Sequence, residues 1–282
     1  MDDACVSFPL ARSRSPLRKP PRDLLPPYHR PSPGRISSPI PSPAPIPSVP
    51  LRAVFLDVGN TLLSEVPSRY AVYAAAAVRR GREVSPERMH ALMAEAHLSL
   101  PHWVDGHFRY TDRWFEAFIA RIFGEERGLG FGAQDVSAIT LELFDHFESA
   151  GTFVPFPGAE GLLAELRAAE LVVGVISNWS SRLSRVLEVT GLAGSFDLVL
   201  TSALEGVEKP DAALFRRALE RAGVGPTEAL HAGDDPVLDV QGARAAGLGA
   251  VLVDHAGRLG DAEKERVTSL AALAAYILER TR

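Results

Sequence analysis

Four short segments of this 282-residue chain carry residue types that could handle a charged, oxygen-rich group. Asp57-Val58-Gly59-Asn60-Thr61-Leu62 puts a carboxylate directly after a short apolar run and before a glycine-containing turn. A carboxylate there can attack an electrophile or bind a cation. Ser177-Asn178 offers a hydroxyl and backbone N–H groups near a helix start, a place that suits an anion. Lys209-Pro210-Asp211 puts a cation ahead of a helix, with Pro210 suited to an early helical position and Asp211 to its positive end. Gly233-Asp234-Asp235 with Asp239 forms a carboxylate cluster, the hard-oxygen set that Mg²⁺ takes. Taken singly, each has an ordinary explanation: Asp caps helices and builds turns, Ser-Asn is a common turn pair, Lys-Pro sits on surfaces, and paired Asp residues in loops are solvated. Their position argues for more, because each follows a segment that reads as a strand.

Those segments are short apolar runs: Ala53 to Leu56, Leu171 to Ile176, Leu198 to Leu200, Ala229 to Ala232 and Ala250 to Val253. Continuous apolar runs of this length, bounded by turn residues, predict strands buried on both faces. Between and after them, helical periodicity covers 158–168, 181–190, 211–222, 236–246 and 268–280. Alternating strands and helices predict a doubly wound, Rossmann-like parallel sheet, whose ligands lie outside the carboxyl ends of the strands. Residues 65–151 break the rhythm with four helical patterns, at about 68–80, 86–99, 110–123 and 134–149, and no apolar strand run. A helical block inserted after the first strand predicts a separate cap. The core is then 51–64 plus 152–282, re-entered at Pro155-Phe156-Pro157-Gly158.

Residues 1–50 differ in kind. They hold 14 of the 22 prolines, eight serines, and seven Lys/Arg against three Asp/Glu. Such a segment predicts a disordered or polyproline-like tail; a targeting peptide and a start codon placed too early are the other readings. The tail carries +4, which leaves −9 on the remainder and argues against non-specific nucleic-acid binding. The single cysteine, Cys5, rules out an internal disulfide and a cysteine metal site. No apolar stretch of membrane-spanning length occurs, so a cytoplasmic location is expected unless the tail directs the chain to an organelle.

In this order the four segments resemble the four motifs of the haloacid-dehalogenase-like hydrolase superfamily: a nucleophile loop at Asp57 to Thr61, Ser177, Lys209, and an acidic loop at Asp234 and Asp239. The resemblance spans residues 52 to about 255. Tyr110 to Phe115, Val175 to Asn178, Phe196-Asp197 through Ser202, and Gly233-Asp234 are further similar to the subgroup of haloacid-dehalogenase-like hydrolase domain-containing protein three and the rhythmically expressed gene two proteins. The resemblance implies phosphoryl transfer to Asp57 from a small phosphate ester or anhydride, through an aspartyl-phosphate. It implies Mg²⁺ held by Asp57, the backbone carbonyl of Gly59 and Asp234, with Asp235 and Asp239 ordering the metal. It places Ser177, the backbone N–H of Asn178 and Lys209 on the phosphate oxygens, and counts Thr61 of the nucleophile loop among the phosphate-binding residues.

The pattern departs from the family at one position. Its phosphatases carry a second Asp two residues after the nucleophile, to protonate the leaving oxygen and activate water; here that residue is Gly59. Losing a general acid–base costs roughly 10²–10⁴ in rate. Three outcomes are compatible with this: a weak or selective phosphatase, with His102 or His107 from the cap as substitute; a dehalogenase-like enzyme, which would not need Asp234 and Asp239; or a binding protein without turnover. In the cap, Trp103, Asp105, His107, Arg109, Tyr110, Arg113 and Trp114 form an aromatic and cationic concentration. From it Arg113 or Arg109 could reach a substrate's charge, while Trp114, Phe115, Phe118 and Ile119 have the spacing of a cap core.

Overall fold

The computed structural model describes residues 49–259 and 263–281, so the tail lies outside the described residues except for its last two positions. Six strands form one parallel sheet in the order β10-β9-β8-β1-β6-β7. They are β1 (Ala53–Leu56), β6 (Val172–Ser177), β7 (Leu198–Thr201), β8 (Ala229–Gly233), β9 (Gly249–Val253) and β10 (Arg266–Val267). The chain winds outward from β1 through β6 to β7, then returns to the other side of β1 for β8, β9 and β10. The reversal falls between β1 and β8, where open α/β sheets form a crevice.

The strands follow from their composition. Every residue of β1 and β8 is buried, as parallel strands covered on both faces require. Val54 and Leu56 of β1 point into one apolar layer, with α5 (Ala159–Ala168), α6 (Leu183–Val189) and α10 (Leu270–Leu278). Ala53 and Phe55 point into the other, with α8 (Ala212–Ala222) and α9 (Gly242–Ala245). Each fully buried large side chain contributes about 1.5–3 kcal/mol, so two such layers hold the sheet firmly. Among the described residues, no helix is long and apolar enough to cross a membrane.

The helical block contains α1 (Arg69–Val78), α2 (Pro86–Ser99), α3 (Asp112–Phe123) and α4 (Ala133–Glu148). Ser68, Ser85 and Thr111 cap the first three with side-chain oxygens. The block has its own apolar cluster around Trp114, Phe118, Ile119, Ile122 and Phe123, while Phe115 is only partly buried. It leaves and rejoins the sheet through an antiparallel ribbon of β2 (Leu63–Glu65) and β5 (Phe153–Pro155).

Three local expectations need correction. The block is not purely helical: β3 (Trp103–Val104) and β4 (His107–Phe108) form a hairpin. Its turn, Asp105-Gly106, has φ of 50° and 79°, the left-handed pair that Asp-Gly adopts readily. Two-residue strands are too short to show periodicity. The helix expected over 236–246 is a π-helical turn, Pro236–Gln241, followed by the short α9. Pro210 does not open a helix: α8 begins at Ala212, capped by the Asp211 carboxylate, and the Lys209–Pro210 peptide is cis.

Candidate active site

Asp57 ends the central strand, between the ends of β6 and β8. Its N–H continues the ladder to the Ala232 carbonyl at 2.9 Å, which sets the carboxyl at the reversal point. The chain then turns tightly: the N–H groups of Leu62 and Leu63 both reach the Val58 carbonyl at 2.9 Å, with Asn60 left-handed at φ 55°. Asn tolerates that conformation better than most side chains. His255, after β9, donates from Nε2 to the Thr61 carbonyl (2.9 Å) and stacks on Phe156 at 3.9 Å between ring centroids. The loop after Asp57 is thus buttressed by a residue that follows β9, two strands away.

The Asp57 carboxylate is held asymmetrically. Oδ1 accepts from Ser177 Oγ at 2.7 Å and from Lys209 Nζ at 2.8 Å, while Oδ2 meets only Thr61 Oγ1, at a long 3.5 Å. Lys209 also donates to Asp239 Oδ1 at 2.5 Å. Asp239 accepts there from His231 Nε2 at 2.9 Å too, and its Oδ2 accepts from the Asp235 N–H at 3.0 Å. A carboxylate can only accept, so His231 carries its proton on Nε2. Asn178 grips the Lys209 backbone on both sides: Nδ2 donates to its carbonyl (3.0 Å) and Oδ1 accepts from its N–H (2.7 Å).

This charge arrangement shifts proton affinities. Burial, then the neighbouring Asp57 and Asp239 charges, push the Asp234 carboxyl well above its usual range. Burial also raises Asp57, and prevails over the pull of Lys209 and Ser177. Burial would lower Lys209, but Asp239 and Asp57 outweigh it and keep the ammonium protonated. Asp239 moves the other way, its burial overcome by Lys209 and His231, and stays ionised.

Asp57, Asp234 and Asp239 each offer an oxygen within 4.8 Å of the others. Three crowded carboxylates of oxygen-only character fit a hard divalent cation, whose charge would relieve the repulsion that raises Asp234. Asp239 is already saturated by three donors, which leaves Asp57 and Asp234 as the freer ligands. Asp235 stands apart: its Oδ1 caps the π-helical turn by accepting from Val237 and Leu238 N–H at 2.7 and 2.9 Å. Gly233 is required here, because a Cβ would run into the Asp239 carboxylate.

The sequence-predicted residues therefore separate. Asp57, Thr61, Ser177, Lys209, Asp234 and Asp239 come together, and Asn178 acts on the Lys209 backbone through its side chain. Arg113 does not join them: it is engaged at the block's surface by Asp105 (2.7 Å) and Glu116 (3.0 Å). His107 is exposed on β4, and His102 is exposed with Nε2 3.8 Å from Glu208. Arg109 is the cation that crosses to the sheet, buried and paired with Glu208 at 3.3 Å, one residue before Lys209. Sequence reasoning missed Trp179, His231 and His255. Only Trp179 had a signal there, as the residue right after Ser177-Asn178.

A parallel sheet with this carboxylate at its reversal point defines an α/β protein whose ligand site lies at the carboxyl ends of the strands. The chain belongs to the haloacid dehalogenase-like hydrolase family, whose profile matches residues 51–247. It is 34% identical over 221 residues to haloacid dehalogenase-like hydrolase domain-containing protein 3 of Bos taurus, covering 77% of this chain and 87% of that protein. It is 34% identical to phosphoserine phosphatase of Thermus thermophilus, covering 76% and 92%. Among solved structures, a HAD phosphatase from Thermococcus onnurineus superposes with a TM-score of 0.59 at 26% identity, covering 82% of this chain and 100% of that one.

Proposed function

We propose that this protein hydrolyses a small phosphate ester or anhydride by phosphoryl transfer to Asp57, with Mg²⁺ as cofactor. The observation that carries the reading is the asymmetry of Asp57. Oδ1 is fixed by Ser177 and Lys209, which leaves Oδ2 directed and lightly held, and Asp234 is close enough to share a cation. The similarity to a phosphoserine phosphatase supports phosphate as the group attacked.

The residues then divide the work. Asp57 Oδ2 attacks phosphorus in line. Ser177 Oγ and Lys209 Nζ exchange their bonds to Oδ1 for bonds to the phosphoryl oxygens, where transition-state charge collects. Asp239 and His231 hold the ammonium in place, and Asn178 holds its backbone. Asp57, the Gly59 carbonyl and Asp234 would hold Mg²⁺, with Asp239 and the loop capped by Asp235 supporting them; the bound ion supplies neutralisation of phosphate charge. Residues 65–151 act as the cap, joined to the core by the β2–β5 ribbon, and bound the space above Asp57.

The test is hydrolysis of p-nitrophenyl phosphate and acetyl phosphate, with Mg²⁺ and with EDTA, beside Asp57→Asn. Expected is turnover that needs Mg²⁺ and falls by roughly 10³-fold or more in the variant. Gly59 favours a second reading, a phosphate-binding protein without turnover: silence on both substrates together with saturable phosphate binding would establish it instead.

A further inference from the structure

A leaving oxygen normally departs with a proton, and the groups around Asp57 are poorly placed to give one. Ser177 Oγ and Lys209 Nζ are bonded to Oδ1 at rest and are taken up by the phosphoryl oxygens in the reaction, and Lys209 is also shared with Asp239. His231 is wholly buried behind Asp239, and the Nε2 proton of His255 is committed to the Thr61 carbonyl. The remaining flank of the nucleophile loop is position 59, and there the obstacle is steric. Gly59 does not adopt a left-handed conformation, so its backbone would accept an ordinary side chain. A Cβ built on it would lie 3.2 Å from the benzo edge of Trp179 and 3.9 Å from the next ring atom.

Trp179 is anchored where it stands. Its carbonyl accepts from Ser202 Oγ and from the Ala203 N–H, both at 3.3 Å, which ties it to α7 (Ser202–Glu205), the helical turn after β7. Its N–H reaches the Ser177 carbonyl at 2.9 Å, and its ring packs on Phe153 of β5 at 5.2 Å between centroids. A side chain at 59 would need the indole to give by a few tenths of an ångström, against a backbone tied to the turn after β7 and a ring packed on Phe153.

We propose that Trp179 is a specificity-determining residue together with Gly59: Gly59 offers no proton, the indole crowds the space that a donor side chain there would need, and turnover is thereby restricted to phosphoryl donors whose leaving group departs as a stable anion. Acyl phosphates and the phosphates of acidic phenols or enols are that class. The proposal rests on the reading of Asp57 as phosphoryl acceptor. In the first step the Asp57 Oδ2–P bond forms as the bridging P–O bond breaks, and the electron pair leaves on the carboxylate or phenolate oxygen with no proton transferred. In the second, water attacks phosphorus, the Asp57 carboxylate is released, and both protons of the water leave on dihydrogen phosphate.

The experiment is a leaving-group series with Mg²⁺: acetyl phosphate, nitrophenyl phosphates, phenyl phosphate and glycerol 1-phosphate, with kcat/KM plotted against leaving-group pKa. Expected for the wild type is a steep line, with phenyl phosphate slower than p-nitrophenyl phosphate by at least ~10²-fold, the size of the missing acid's contribution. Gly59→Asp alone leaves the line steep, because the indole still stands in the way. Gly59→Asp with Trp179→Ala flattens it, raising phenyl phosphate by ~10²-fold while acetyl phosphate changes little. A flat line in the wild type overturns the proposal, and one that steepens in His102→Asn reassigns the proton to His102. Flattening by Gly59→Asp alone also overturns it, without recourse to the double variant's folding. Hydrolysis of no donor by any variant is a different result: it removes the phosphoryl-acceptor reading beneath the proposal.

Discussion

The sheet and the helical block solve opposite problems. Around Asp57 the α/β part buries charge: Asp57, Lys209, His231 and Asp239 are each at most 6% exposed and are linked in one chain of hydrogen bonds. The block buries rings instead. Trp114 stacks on Phe118 with 5.2 Å between centroids, Tyr73 lies 6.0 Å from both Phe123 and Phe147, and Arg113 pairs with Asp105 and Glu116 at the surface. A buried ionic network is weak evidence of stability but fixes geometry, whereas an aromatic cluster contributes stability and little chemistry. Chemistry and stability should therefore be separable by substitution.

The largest expected effect tests that division directly. Trp114 is fully buried, and its Nε1 donates to the Pro101 carbonyl at 3.0 Å. Trp114→Ala should lose roughly 3–5 kcal/mol in denaturant unfolding. At 20 °C, with the protein still folded, leaving-group preference should stay unchanged. Asp57→Asn should do the reverse, abolishing turnover while the unfolding midpoint moves little. If Trp114→Ala altered the preference among phosphate donors at full folding, the block would share in the chemistry and the comparison would fail.

Legibility in the sequence followed the same division. Five of the six sheet strands were readable because short apolar runs bounded by turn residues suit strands buried on both faces, and β1 falls at the expected Ala53–Leu56, whereas the two-residue β10 gave no run to read. That the candidate residues after those strands lie together was readable because a parallel sheet brings carboxyl ends together whatever the intervening chain does. What escaped was set by long-range approach. Trp179 meets Gly59 across 120 positions, a contact no local pattern encodes. Arg109 and Arg113 lie in one cationic stretch, and only the block's packing directs Arg109 to Glu208 and Arg113 to solvent. His231 read as one more position in an apolar strand, although it lies behind the site.

A middle-sized effect sharpens the contrast through pH. His97 in α2 sits against Trp114 and Tyr110, its Nε2 3.2 Å from the Tyr110 hydroxyl. Burial, with Arg109 and His102 adding repulsion, lowers its pKa to about 4. Above the unfolded pKa near 6.5 both states are neutral, so nothing is lost. As pH falls from there toward about 4 the unfolded chain binds a proton the folded one resists, and stability drops by up to about 3 kcal/mol. Unfolding by denaturant at pH 7.5 and 5.5, before most carboxylates titrate, should show the loss in the wild type and little of it in His97→Gln. Equal losses in both would rule out His97 as the acid-sensitive group.

The smallest expected effect concerns the joint between the regions. Arg182, in the turn before α6, donates from Nε and Nη2 to the two oxygens of Asp112, both at 2.8 Å, and also pairs with Glu148. Asp112 opens α3 and Glu148 closes α4, so one guanidinium ties the sheet to two helices of the block, with the Phe144 ring 4.4 Å beneath it. The pairs are half-exposed, which limits them to about 1 kcal/mol and makes them sensitive to salt. A double-mutant cycle of Arg182→Ala and Asp112→Asn should give a coupling of ~0.5–1 kcal/mol at low salt that fades toward 1 M. Hydrogen exchange in the first turn of α3 should rise in either single variant, while exchange in β1 stays put. A coupling of zero would leave the apolar contact through Phe147, which packs on both clusters, and the pairing of buried Arg109 with Glu208 as the joint between block and sheet.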